Sequence, residues 1–291
     1  MNKEKIGELQ RHAADIRRQT INAIGAAGMG HIGGCLSIAD VLAVLYFNEM
    51  NVEPKNPKME GRDRLVLSKG HGGPALYATL ALKGFFPLKQ LSALNQPGTD
   101  LPSHCDMTKT PGVDMTAGSL GQGLSCAVGM GKAAKLMGSS EYIYAILGDG
   151  ESQEGQIWEA SMAAAQFKLD NLIVFLDYNK MQIDGMVDEV MDLIDPAAKW
   201  AAFGFKTFEA DGHDVSAVCE AISKAKKEQD GKPAMIVLHT VKGKGVSFVE
   251  AEGTGNHSMS LSAEQAAKAL AELDRAEFSK SELDSSLDGE V

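Results

Sequence analysis

Apolar positions along the chain recur at two spacings. Ile6, Leu9, Ala13, Ile16 and Ile24 fall at helical intervals until Gly28 and Gly30 interrupt them, which predicts an amphipathic helix over residues 4–27. Ser37 with Asp40 three positions later reads as a capping box opening a second helix, Ile38 to Asn48. The pattern then changes to short apolar runs without alternation: Leu65–Leu67, Tyr142–Leu147, Leu172–Leu176, Phe205–Phe208 and Met235–Leu238. Helical stretches separate most of them, one spanning Gln156 to Phe167. Such an alternation predicts an α/β fold, a mainly parallel sheet with helices on both faces. From Lys244 to Met259 the chain is unpatterned and contains glycine, the signature of a functional loop or of local disorder. Ser262 with Gln265 caps a last helix to about Phe278, and Ser279–Val291 is polar and acidic enough to fray. Residues 1–260 are therefore expected to form one domain and 261–291 a C-terminal helix with an acidic tail.

The chemistry gathers where the apolar runs end. Ser68-Lys69-Gly70-His71, Gly148-Asp149-Gly150-Glu151, Asp177-Tyr178-Asn179, Asp211-Gly212-His213-Asp214 and His239-Thr240-Val241-Lys242-Gly243-Lys244-Gly245 all follow predicted strands. In open parallel sheets, ligands bind outside the carboxyl strand ends. Asp149 and Asn179 lie thirty positions apart, the length of one strand-helix-strand crossover, so their side chains should emerge side by side. A carboxylate, an amide oxygen and nearby backbone carbonyls suit a hard divalent cation such as magnesium, with positions left for phosphate or water. An isolated Gly-Asp-Gly is more often only a turn; the matched Asn179 reverses that reading.

Composition narrows the ligand and the setting. The chain has 291 residues, 44% of them hydrophobic, enough for a full core. Its net charge of −11, with no basic run longer than Lys226-Lys227, argues against a nucleic-acid surface, so any polyanion must be neutralised locally. Cys35, Cys105, Cys126 and Cys219 are widely spaced and read as reduced buried thiols of a cytoplasmic protein. The amino terminus lacks an apolar signal core, and the longest strongly apolar run, Val41 to Phe47, is too short to span a bilayer.

Taken in order, the motifs resemble the amino-terminal, thiamine-diphosphate-binding half of transketolase, and more closely the separate amino-terminal subunit of two-chain transketolases. They are Gly30-His31-Ile32-Gly33-Gly34 with Leu36-Ser37, Ser68-Lys69-Gly70-His71, Pro102-Ser103-His104, Thr116-Ala117-Gly118-Ser119-Leu120-Gly121-Gln122-Gly123, Gly148 to Gly155, and Asn179-Lys180-Met181-Gln182-Ile183-Asp184-Gly185. The likeness extends from about residue 15 to 250. It implies that residues 1–260 are the diphosphate- and magnesium-binding domain. Asp149, Asn179 and the carbonyl of Met181 would hold Mg2+, which grips the cofactor's diphosphate. Gly150 would let the backbone approach the diphosphate, Gly118 with Leu120 would place main chain against the aminopyrimidine, Ile183 would pack beside the thiazolium, and Ser119, Gly148 and Glu151 would also bind the cofactor. His31, His71, His104 and His257 match the histidines that line the substrate channel, His71 and His257 also contacting the cofactor. Imidazole suits that task, since it donates hydrogen bonds and shuttles protons near neutral pH. At the last of them the family's His-Gly after an aromatic is replaced by Asn256-His257-Ser258. Glu154 matches a glutamate that faces the dimer interface and links the two active sites. His213 and Asp214 read as structural.

The implied reaction is transfer of a two-carbon ketol unit from a ketose, phosphorylated or otherwise anionic, to an aldose. Transketolase chemistry also needs a glutamate from a second, pyrimidine-binding domain, for which this sequence has no room. A carboxyl-terminal partner subunit is thus expected, in a heterotetramer of two plus two chains, and the chain should be inactive alone. Other readings are a subunit of a deoxyxylulose-phosphate synthase, suggested by Lys242-Gly243-Lys244-Gly245, a subunit of a 2-oxo acid dehydrogenase, or a non-catalytic regulatory subunit. Intact Asp149, Asn179 and His71 argue against the last.

Overall fold

Five apolar runs pair side by side because helices cover both of their faces. The computed structural model describes residues 1–287 except Asp184 and Gln229, with the backbone alone over 276–287. Its central strands are β1 (Arg64–Leu67), β2 (Ile143–Gly148), β3 (Leu172–Tyr178), β4 (Lys206–Asp211) and β5 (Ala234–His239). They hydrogen-bond in the order β1-β2-β3-β5-β4, all parallel. Successive side chains of a strand point to opposite faces. Leu65, Leu67, Tyr144, Ile146, Ile173 and Phe175 therefore enter one core, shared with α1 (Lys3–Ala27), α3 (Ala39–Val44), α4 (Gly73–Lys83) and α8 (Val215–Glu228). Val66, Ala145, Leu147, Val174, Leu176 and Val237 enter the other, against α5 (Gln122–Leu136), α6 (Gly155–Gln166) and Trp200 of α7 (Pro196–Ala202). Apolar residues are needed on both faces, which is why the sequence shows runs and no alternation.

The first predicted helix is present as α1, which buries Leu9, Ala13, Ile16 and Ile24 and stops at Gly28, whose φ of 80° a side chain would resist. The second is built differently. It forms as α3, which starts after Ile38 with no side-chain cap and continues into a π-turn over Leu45–Glu49, and a separate short helix, α2 (Ile32–Leu36), precedes it. Ser37 does not serve a capping box: its hydroxyl donates to the Gly34 carbonyl and, at 2.7 Å, to Asp177. Asp40 pairs with Arg17 and His213. Buried charges elsewhere in the fold claim both side chains before the helix end can.

The 244–259 stretch is ordered. It contains a helical turn at Ser247–Ala251 and a 3-10 turn at Gly253–His257, and Met259–Ser260 pairs antiparallel with Met29–Gly30. The capping box of the last helix, α9 (Ala263–Leu287), forms as expected, Gln265 N–H donating to Ser262 Oγ and Ser262 N–H to Gln265 Oε1. α9 runs past Phe278 because nothing from 279 to 287 breaks a helix; residues 288–291 of the acidic tail lie outside the described residues. All four cysteines are free, Cys126 only half-buried. Among the described residues no helix is long and apolar enough to cross a membrane.

Candidate active site

The carboxyl ends of β1, β2, β3 and β5 surround a pocket of about 280 Å³. Asp149 and Asn179 line it together, on adjacent strands whose register pairs Gly148 with Asp177. The end of the edge strand β4 turns away: His213 reaches back to Asp40 at 2.9 Å and accepts from the Val241 N–H at 2.8 Å.

Beneath the pocket sits Asp177, fully buried, receiving Lys69 Nζ at 2.6 Å, Ser37 Oγ at 2.7 Å, Thr240 Oγ1 at 2.5 Å and Asn179 Nδ2 at 2.9 Å. Burial alone would raise its pKa, but Lys69 and the hydroxyl donors outweigh burial and hold the carboxyl below its ordinary value. Because the Asn179 amide NH2 is spent on Asp177, its Oδ1 is free to turn outward, where it accepts from the Met181 N–H at 3.2 Å. Asp149 accepts from the N–H of Gly150 at 2.8 Å and of Lys180 at 2.5 Å. Burial and neighbouring Asp177 nevertheless push its pKa up to about 7. Lys242 Nζ lies 3.4 Å from the Met181 carbonyl, and burial beside Lys69 pulls its pKa down to about 8. A carboxylate short of positive charge, an amide oxygen and a carbonyl that already attracts an ammonium fit a hard divalent cation.

Four histidines from four segments meet here. His31 comes from the turn before α2, His71 from a 3-10 turn after β1, His104 from the coil ahead of α5, and His257 from the Gly253–His257 turn. Ring centroids lie 5.5 Å apart for His31–His71, 5.4 Å for His31–His104 and His31–His257, and 5.0 Å for His71–His257. Burial, reinforced for His31, His71 and His257 by cationic or histidine neighbours, lowers all four pKa values, His257 to about 4. The cluster is neutral at neutral pH, each ring offering one donor and one acceptor.

The remaining sequence-chosen residues lie around these groups. Gly148, Gly150, Glu151, Glu154, Leu120, Met181 and Ile183 line the pocket, while Gly118 and Ser119 lie exposed just before Leu120. Gly150 is required by space, since a Cβ there would press on the Gln182 side chain. The Glu151 carboxylate is occupied by Ser68 Oγ and the N–H groups of Gly121 and Gly148. Glu154 caps α6 by position only, its side chain exposed and making no capping hydrogen bond. Asp184 lies outside the described residues. Sequence reasoning gave no role to Lys69, Asp177 or Lys242. Its available signal was two lysines flanked by glycine at strand ends and an aspartate inside an apolar run.

Comparison with known proteins agrees with this geometry. Residues 9–278 match the family described as transketolase, thiamine diphosphate binding domain. The 6-deoxy-6-sulfo-D-fructose transketolase subunit of Clostridium sp. (strain MSTE9) is 54% identical over 94% of this chain and 99% of its own length. One of the apulose-4-phosphate transketolase subunits, that of Phocaeicola vulgatus, is 40% identical over 88% of this chain and 90% of its own. The solved transketolase of Campylobacter jejuni superposes with a TM-score of 0.85 at 33% identity, covering 94% of this chain but 43% of that one, so the chain spans less than half of that solved transketolase. The chain belongs to the transketolase family, as the amino-terminal, thiamine-diphosphate-binding subunit of a transketolase divided between two chains.

Proposed function

We propose that Asp149, Asn179 Oδ1 and the Met181 carbonyl hold Mg2+ against the diphosphate of thiamine diphosphate, and that His31, His71, His104 and His257 bind the sugar and move its protons. One observation carries this: three hard oxygen donors and the neutral imidazoles of His71 and His257 line one pocket at the carboxyl strand ends, with His31 packed against both rings and His104 against His31. Bound thiamine diphosphate supplies the chemistry for breaking and re-forming a carbon–carbon bond. This chain's residues do the positioning. Lys242, with the cation, offsets the diphosphate charge that an acidic protein otherwise repels. The neutral imidazoles donate to the ketose carbonyl and hydroxyl oxygens and accept protons in turn.

Glu154, exposed at the start of α6, faces the second copy in our reading. The working enzyme is a heterotetramer of two such chains and two pyrimidine-binding partner subunits, in the cytoplasm. Since one relative carries the name of a sulfonated ketose and another that of a branched-sugar phosphate, the donor is a ketose with an anionic far end, 6-deoxy-6-sulfo-D-fructose being the first to test.

The test is to combine the chain with its partner subunit, thiamine diphosphate and Mg2+, and to follow ketol transfer from sulfonated and phosphorylated ketoses. Asp149→Ala should weaken cofactor binding by more than about 100-fold, because losing a group that merely orients a metal ligand already costs roughly 10–100-fold. Unchanged cofactor affinity in that variant would refute the cation site.

A further inference from the structure

Asn256 is completely buried, and the chemistry above makes no use of it. Its Nδ2 donates to two main-chain carbonyls, Lys242 at 3.2 Å and Val249 at 2.9 Å. Two carbonyls can be served only by the NH2 end of the amide, so its orientation is fixed. Oδ1 then has no hydrogen-bond partner and is pressed against Gly33, where any Cβ would overlap it. An orphaned buried amide oxygen is destabilising. A leucine of similar shape would avoid that cost, so the amide is there for what its NH2 does.

What it does is close the mount of Lys242. The loop carrying this lysine is pinned through four N–H groups: Val241 to His213 Nε2 at 2.8 Å, Gly243 to the Gly33 carbonyl at 3.0 Å, Lys244 to the Val241 carbonyl at 3.2 Å and Gly245 to Glu250 at 2.8 Å. The Lys242 carbonyl is held by Asn256 itself. The lysine ammonium is thereby aimed at the Met181 carbonyl and, at 3.3 Å, at His257 Nδ1. His257 follows Asn256 directly in the chain and meets both His31 and His71. One amide thus ties together α2, which carries Gly33 and begins directly after His31, the lysine loop and the His257 turn.

We propose that Asn256 is a positioning residue for the cofactor's anionic end: it fixes Lys242 and His257 relative to each other, with Gly33 as the surface against which it is seated. The inference rests on the reading of the pocket as a thiamine-diphosphate site. Asn256→Asp keeps the shape but turns an oxygen toward two carbonyl oxygens; Asn256→Leu keeps the volume and removes the donors. Gly33→Ala displaces the same amide from the opposite side.

The experiment measures thiamine-diphosphate affinity with Mg2+ in the complex with the partner subunit, by calorimetry, together with hydrogen exchange over residues 241–257 of the free chain. Each variant is expected to raise the cofactor Kd at least tenfold and to speed exchange at Gly243. In a background carrying both Lys242→Met and His257→Ala the added Asn256→Leu change should alter Kd by less than twofold, because both groups it positions are gone. A purely structural role predicts the same loss in both backgrounds, and that result, or wild-type affinity in Asn256→Leu, overturns the inference. Wild-type complex that binds no thiamine diphosphate would instead overturn the reading of the site. If Asn256→Asp does not fold, Asn256→Leu and Gly33→Ala decide the matter.

Discussion

The pocket has a floor and a rim, and they are built on opposite principles. On the floor, Asp177 receives Lys69, Ser37, Thr240 and Asn179, and Glu151 receives Ser68, Gly121 and Gly148, so its charges are satisfied within the chain. Along the rim, Leu120 and Ile183 present apolar side chains to solvent, Ile183 being 66% exposed. Exposed apolar patches bordering a polar site mark surfaces that another molecule covers. The contrast teaches a division of labour. Under the function proposed above, this chain pre-organises the groups for the charged end of the cofactor, and we propose that the uncovered apolar edge is where the partner subunit sits.

The most damaging way to break the floor is Asp177→Ala. It leaves the Lys69 ammonium buried without its carboxylate, a loss of about 3–5 kcal/mol by analogy with other broken buried pairs. It also frees the Asn179 amide to rotate, so cofactor affinity should fall even though Asp177 does not line the pocket. Pairing it with Lys69→Met should restore most of the stability and little of the affinity. Urea unfolding and cofactor titration of the two variants separate the effects, and a stability loss under about 1 kcal/mol for Asp177→Ala would mean that the floor is not pre-organised.

The same contrast explains what could be read from the sequence. The sheet was legible because its strands are unbroken apolar runs, and the Asp149–Asn179 pair because a crossover has a nearly fixed length. The floor was not, since Lys69 and Asp177 are 108 residues apart and only strand order brings them together. Ser37 and Asp40 misled for a related reason. Their local spacing fits a capping box, yet each is claimed by a distant buried charge. The 244–259 stretch looked unpatterned because its order comes from Asn256, Gly33 and the pairing of Met259–Ser260 with Met29–Gly30, none of which leaves a period in the sequence.

Behind the floor, Asp40 joins Arg17 to His213, which holds Val241 beside Lys242. Burial would raise the Asp40 pKa, but Arg17 and His213 outweigh it and the net shift is downward. A carboxyl whose pKa is lower folded than unfolded stabilises fully above the unfolded value, near 3.9, and loses that contribution as pH falls through the folded value. Stability measured by urea unfolding should therefore decline on acidification from about pH 5 to about pH 3, Asp40 accounting for up to about 1.4 kcal/mol per pH unit, the share of one proton. Asp40→Asn starts less stable, because Arg17 loses its partner, but its profile should be shallower. An equally steep profile would remove Asp40 from the account.

The rim offers the smallest effect on the chain itself and the sharpest test of the contrast. Ile183→Asp and Leu120→Asp place charge on side chains that already face solvent, so the stability of the isolated chain should change by no more than about 0.5 kcal/mol. Against a partner subunit seated on that rim, the same charges would be buried without a counter-ion, which is strongly unfavourable. Association measured by titration calorimetry or analytical ultracentrifugation should therefore weaken at least tenfold while the melting temperature of the free chain stays put. The reverse result, a destabilised chain that still binds its partner normally, would make the rim part of this chain's own fold and erase the distinction between the two regions.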